Sequence, residues 1–213
     1  MYGIDGFHLS IPQLKFEDAE KVAIIGPSGS GKTTLLKLIS GIIQPQYGSI
    51  SIEDTVISQL SDAERRDYRI SNIGFIFQDF ELLDYLNVQD NILHPFRITK
   101  ALKIDVQTKA RVEALSQEMG IANKLNRLVN HLSQGEKQRA AICRAMITTP
   151  KLILADEATG NLDPRNKTKI LDALFRSTDK NNATLIAVTH DHELLDRFDR
   201  IIDFKQFCEG EGI

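Results

Sequence analysis

The chain has 213 residues, 42% hydrophobic and 26% charged, with a formal net charge of −3. That is ordinary soluble composition for one sizeable domain, and nothing in its charge balance suggests a sequence-independent grip on nucleic acid. No apolar run reaches bilayer-spanning length, and "MYGIDGFHLS" lacks the basic start and apolar stretch of a secretion signal, so a cytoplasmic protein is expected. Taken in chain order, "FHLSIPQLKF" alternates Phe7, Leu9 and Ile11 and resumes at Leu14 and Phe16, which predicts an antiparallel or edge strand interrupted at Pro12. "KVAIIG" is apolar on consecutive positions, as a strand covered on both faces must be. "TTLLKLISGII" then puts Leu35, Leu36, Leu38, Ile39, Ile42 and Ile43 on a broad apolar helix face. "IGFIF" is a second buried strand, after which the rhythm breaks. From about Asp84 to about Asn130 the pattern is mostly helical, and an α-helical subdomain of about 84–145 inserted into one domain is expected. "KLILAD", "ATLIAVT" and "RIIDF" supply three more strands. Between the first two, "DPRNKTKILDALFRSTDK" opens a helix with Asp163 as N-cap and Pro164 at the first helical position. The alternation predicts an α/β fold with a mainly parallel sheet and N-terminal antiparallel strands. Cys143 and Cys208 lie in no C-x-x-C or His/Cys cluster, so no zinc or redox site is implied.

The stretch "GPSGSGKTT", from Gly26 to Thr34, has no packing purpose. It matches the P-loop pattern, with a buried strand leading in and an amphipathic helix leading out. In the loop Gly26, Pro27, Ser28, Gly29, Ser30 and Gly31 the glycines let successive backbone N–H groups turn toward an anion, and the helix tip adds partial positive charge. Lys32 is expected to reach the β- and γ-phosphates of a nucleoside triphosphate, Thr33 to ligate Mg²⁺ and Thr34 to touch the α-phosphate. Asp156 and Glu157 directly follow the strand "KLILAD". Ligands in such sheets bind at the strands' carboxyl ends, so Asp156 is expected to face the Mg²⁺ and Glu157 to polarise the attacking water.

Four further motifs stand in a fixed order: "FIFQD" with Gln78, "LSQGEKQR" from Leu132 to Arg139, "GNLD" ending at Asp163, and "VTH" ending at His190. With the P-loop and "LILADE" they resemble the ATP-binding subunit of ABC (ATP-binding cassette) transporters over nearly the whole chain. The resemblance implies a P-loop NTPase core, ATP and Mg²⁺ as ligands, and ATPase activity. It implies that Gln78 contacts Mg²⁺ or the attacking water, and that His190 bonds the γ-phosphate and helps Glu157 hold the water. Asp163 would touch the partner's P-loop, besides its N-cap role. Ser133 and Gly135 would meet the γ-phosphate held by a second copy, so that ATP is sandwiched in a dimer. Ser133 also reads as the N-cap of a capping box with Glu136, ahead of a helix whose apolar face carries Ala140, Ala141, Ile142, Ala145 and Met146. The resemblance also implies an aromatic that stacks on adenine: Tyr2, 30 residues before Lys32, would take that place, with Phe7 as the runner-up.

The chain departs from the usual leucine-serine-glycine-glycine-glutamine signature at Gln134 and Glu136, while Gly135 survives. "GFIFQDFELL" and "TGNLD" look most like the subgroup serving lipoprotein-release, macrolide-export and cell-division permeases. A separate membrane permease and a second ATPase subunit are therefore the implied partners, with no nucleic acid, and the chain is expected at the cytoplasmic face of the membrane. Phe80, Leu82, Leu83, Tyr85 and Leu86 are either permease contacts or a local core. The alternative function, a soluble ABC ATPase working on nucleic acid or ribosomes, lacks the long coiled coils or second cassette of those proteins.

Overall fold

The computed structural model describes residues 1–4, 7–158 and 164–207; Asp163, Cys208 and the Phe7 side chain fall outside it. Two short strands, β1 (Tyr2–Ile4) and β2 (Phe7–Leu9), pair antiparallel at the start. There follow β3 (Lys21–Ile25), α1 (Lys32–Ile39), the small antiparallel pair β4 (Ser51–Ile52) and β5 (Thr55–Val56), α2 (Asp62–Asn72) and β6 (Ile73–Ile76). Four helices come next: α3 (Val88–Ile92), α4 (His94–Arg97), α5 (Val106–Glu118) and α6 (Gln134–Met146). The chain returns to the sheet with β7 (Leu152–Asp156), crosses over as α7 (Pro164–Lys180), and ends with β8 (Thr184–Val188) and β9 (Arg200–Asp203).

Five strands form one parallel sheet in the order β6-β7-β8-β3-β9. Both of its faces are covered, which is why its strands carry consecutive apolar residues. Leu152, Leu154, Ile186 and Val188 go to the face holding Leu35, Leu36, Leu38 and Ile39 of α1. Ile153, Ala155, Leu185 and Ala187 go to the opposite face, against Ile142 and Met146 of α6 and Ile170, Leu171 and Leu174 of α7. Each such fully buried aliphatic side chain stabilises the fold by roughly 1.5–3 kcal/mol.

Two details differ from the pattern-based expectation. The strand predicted to resume at Leu14 and Phe16 ends at Leu9; beyond Pro12, which has no N–H to offer a ladder, both side chains still pack against the α1-face core. The apolar face of α1 stops before Ile42, which is 40% exposed. Gly41 at φ 66° closes the helix: its N–H donates to Leu38 O at 3.0 Å and that of Ile42 to Lys37 O at 2.9 Å, the paired bonds of a Schellman end.

Candidate functional site

Neighbouring parallel strands deliver their carboxyl ends to one edge of the sheet. β6 leads to Gln78, β7 ends at Asp156 and runs into Glu157, β8 leads to His190, and β3 leads to Gly26. Four motifs scattered along the chain thus meet because of strand order.

The loop after β3 is built on positive-φ glycines, Gly26 at 149°, Gly29 at 77° and Gly31 at 101°. Gly26 is doubly required, since an added Cβ would come within 3.0 Å of Phe204 Cβ. Gly31 is the N-cap of α1 and no side chain caps that tip, an arrangement suited to an anion. The buried Lys32 folds back over the loop, its Nζ donating to Gly26 O at 2.8 Å and Pro27 O at 2.7 Å. Ser30 Oγ is buried with no hydrogen-bond partner among the described residues, a polar atom that a phosphate oxygen would satisfy.

Asp156 is 5% exposed. Burial raises its carboxyl above the ordinary range; the hydrogen bond with Thr33 opposes this, Glu157 adds to it, and Lys37 and Lys32 oppose it. A buried carboxylate beside a threonine hydroxyl is an oxygen donor set suited to a hard divalent cation. Among the described residues no group of three or more His, Cys, Asp or Glu could hold a metal by itself. A cation here would take few protein oxygens and rest largely on phosphates, which suits Mg²⁺.

Glu157 sits at φ 49°, its N–H donating to Val188 O at 3.0 Å, so the chain turns sharply as it leaves β7. The carboxylate is held from both sides. Gln78 Nε2 donates to Oε2 at 3.4 Å, and His190 Nε2 lies 3.2 Å from Oε1. The structure therefore brings Gln78, Glu157 and His190 together, one step along the chain from Asp156 and its Thr33 contact.

The remaining expected residues lie in other settings. Ser133 is the exposed N-cap of α6, and its Oγ accepts from the Glu136 N–H at 3.3 Å while Glu136 Oε2 accepts from the Ser133 N–H at 2.9 Å. Gly135, in the same first turn, is half-buried. Tyr2 pairs with Leu9 across β1 and β2 and packs against the α1-face core. Of the apolar cluster after Gln78, Phe80 is buried and Leu82 packs on the core, as the local-core reading expects, whereas Tyr85 is 76% exposed and outside that core.

Sequence reasoning missed what holds these loops. Phe80 and Glu81 are both left-handed, at φ 64° and 48°, and Arg144 of α6 donates to the carbonyls of both. Burial lowers the Arg144 guanidinium to about 10. The fully buried Asn91 accepts from Leu83 N–H at 2.8 Å and donates to Leu83 O at 3.1 Å, pinning the same segment farther on. Lys167 pairs with Asp191, beside His190. Only Asp191 carried a signal, as an acidic residue ahead of a helical turn, where it caps Glu193.

Comparison with known proteins agrees with this geometry. The family model described as "ABC transporter" matches residues 9–160. The lipoprotein-releasing system ATP-binding protein LolD of Hydrogenovibrio crunogenus is 39% identical over 91% of this chain and 82% of its own length. The bacitracin export ATP-binding protein BceA of Halalkalibacterium halodurans is 40% identical over 90% of this chain and 75% of its own. Among solved structures, the dimeric post-hydrolysis state of the ATP-binding cassette MJ0796 bound to ADP and Pi superposes with a TM-score of 0.82, at 32% identity over 89% of this chain and 83% of that one. On this evidence the chain belongs to the ABC transporter family, as one of its ATP-binding, ATP-hydrolysing cassettes.

Proposed function

We propose that the carboxyl-end cluster hydrolyses ATP at the seam between two cassettes and that closure of the pair drives a separate membrane permease. The observation that carries this is the Glu157 carboxylate, held by Gln78 on one oxygen and His190 on the other, adjacent to Asp156. The loop Gly26–Thr34 cradles the triphosphate with backbone N–H groups, and Lys32 exchanges its carbonyl contacts for phosphate oxygens. Glu157 takes a proton from water as the water oxygen bonds the γ-phosphorus; the bond from that phosphorus to the bridging oxygen breaks and ADP leaves. His190 orients Glu157 and bonds the γ-phosphate; Gln78 orients the water. Thr33, Asp156 and Gln78 would hold Mg²⁺, which when bound neutralises charge on the phosphates.

The second γ-phosphate contact comes from another copy, through Ser133 and Gly135 at the exposed tip of α6, with Asp163 at the same seam. Residues 84–145, with four helices between β6 and β7, serve as the inserted subdomain that meets the permease, and the exposed Tyr85 lies on that docking face. Among the described residues no helix is long and apolar enough to cross a membrane. On the likeness to subunits of export and lipoprotein-release systems, the cassette sits at the cytoplasmic face through its permease. Steady-state ATPase assays test the assignment: Glu157→Gln should lower kcat by at least about 10²-fold with little change in KM. Turnover at the wild-type rate in that variant would remove Glu157 from the chemistry.

A further inference from the structure

Helix α7 is stitched along its length to the segment that carries His190. Lys167 Nζ meets Asp191 Oδ2 at 2.8 Å, with side chains 24% and 17% exposed. Farther along the helix, Asp172 Oδ1 accepts from Arg197 Nη2 at 2.5 Å. The same Arg197 guanidinium lies 5.2 Å from the Phe175 ring centre, and Phe175 packs edge-on against Phe198 at 5.2 Å.

The first of these contacts falls directly beside the site. Asp191 follows His190 in the chain, and it is fixed three times. One carboxylate oxygen takes the Lys167 ammonium, the other accepts the Glu193 N–H at 3.3 Å, and its own N–H donates to Thr189 Oγ1 at 3.0 Å. Thr189 is in turn tied to β3, its N–H donating to Ile24 O at 3.1 Å. His190 therefore hangs between two anchored neighbours, and its 3.2 Å contact with Glu157 Oε1 depends on where they stand. An ordinary surface ion pair contributes little to stability, but this one sets a geometry to which chemistry responds at the ångström scale.

We propose that Lys167 is a positioning residue: by anchoring Asp191 from α7 it sets the bearing of His190 on Glu157, which makes α7 part of the catalytic switch. The inference rests on the reading of His190 and Glu157 given above. It deepens that reading by adding a cation the family motifs do not contain.

The test is steady-state ATPase kinetics on the full chain with MgATP, beside thermal melting. Lys167→Met should lower kcat roughly tenfold with KM held within about twofold, and Lys167→Arg should recover most of the loss. Asp172→Asn breaks the distal pair of the same helix; it should lower the melting temperature while leaving kcat within about twofold of wild type. If Lys167→Met does not fold, Asp191→Asn, which keeps an oxygen for the Glu193 N–H, should show the same kcat loss. Wild-type kcat in Lys167→Met alongside an inactive His190→Ala would overturn the inference and leave the site reading standing. Wild-type turnover in His190→Ala would overturn both.

Discussion

Glu136 stands where the family signature usually has glutamine, and its surroundings explain why an acid works there. Its carboxyl is held down to about 2 from an ordinary 4.5, first by the Ser133 backbone N–H and then by Lys124, which lies 2.9 Å away. Because the folded-state value is depressed, this stabilisation is fully present above pH 4.5 and is lost as pH falls from there toward 2. Glutamine can still serve a capping box but forfeits the charge. Glu136→Gln should therefore melt below wild type at neutral pH, with the gap narrowing below pH 4.5 and closing toward pH 2; a gap independent of pH would assign the difference to packing. Lys32 is a buried cation on two carbonyls that a phosphate can replace. Lys32→Ala should weaken ATP binding at least about thirtyfold, the equivalent of ~2 kcal/mol, when titrated by calorimetry; unchanged affinity would place the phosphates elsewhere. At this scale the sequence is legible where chemistry is local. The glycine loop and the Ser133–Glu136 box each fit within a few residues. Arg144 reaching Phe80 across 64 positions, and Lys167 reaching Asp191 across 24, leave no local trace.

Elements were readable where burial imposes a period. The strands β3, β6, β7 and β8 declared themselves because a parallel sheet covered on both faces needs apolar residues at every position. The pairs β4 and β5, two residues each, are too short to show any period. The end of α1 was hidden for a different reason: Ile42 and Ile43 continue the apolar pattern, and only the left-handed Gly41 stops the helix. A close approach between elements was also invisible. At Gly74 an added Cβ would lie 2.4 Å from Ala145 O, so α6 rests directly on β6 where a glycine leaves room. Gly74→Ala should thus destabilise the protein by about 1–3 kcal/mol, because backbone on both sides must shift. Chemical denaturation measures it, and a change below ~0.5 kcal/mol would mean that α6 is free to move away.

For the whole molecule, strand order does what no single motif can. β3 lies between β8 and β9, although β8 and β9 follow it by well over a hundred residues, and that placement sets the phosphate loop beside the His190 strand. Motif order names the candidates, but their adjacency is a property of the fold. The other half of the proposed seam is Ser133, exposed at the tip of α6, where among the described residues its side chain makes capping bonds with Glu136. On the proposed reading a second copy gives that tip a phosphate to meet, and an ATP held by both copies is trapped until it is cleaved. The most direct test is sedimentation of Glu157→Gln with and without saturating MgATP. The account predicts a monomer without nucleotide and, with it, a species of twice the mass carrying one ATP per chain. A monomer carrying one bound ATP under the same conditions would contradict it.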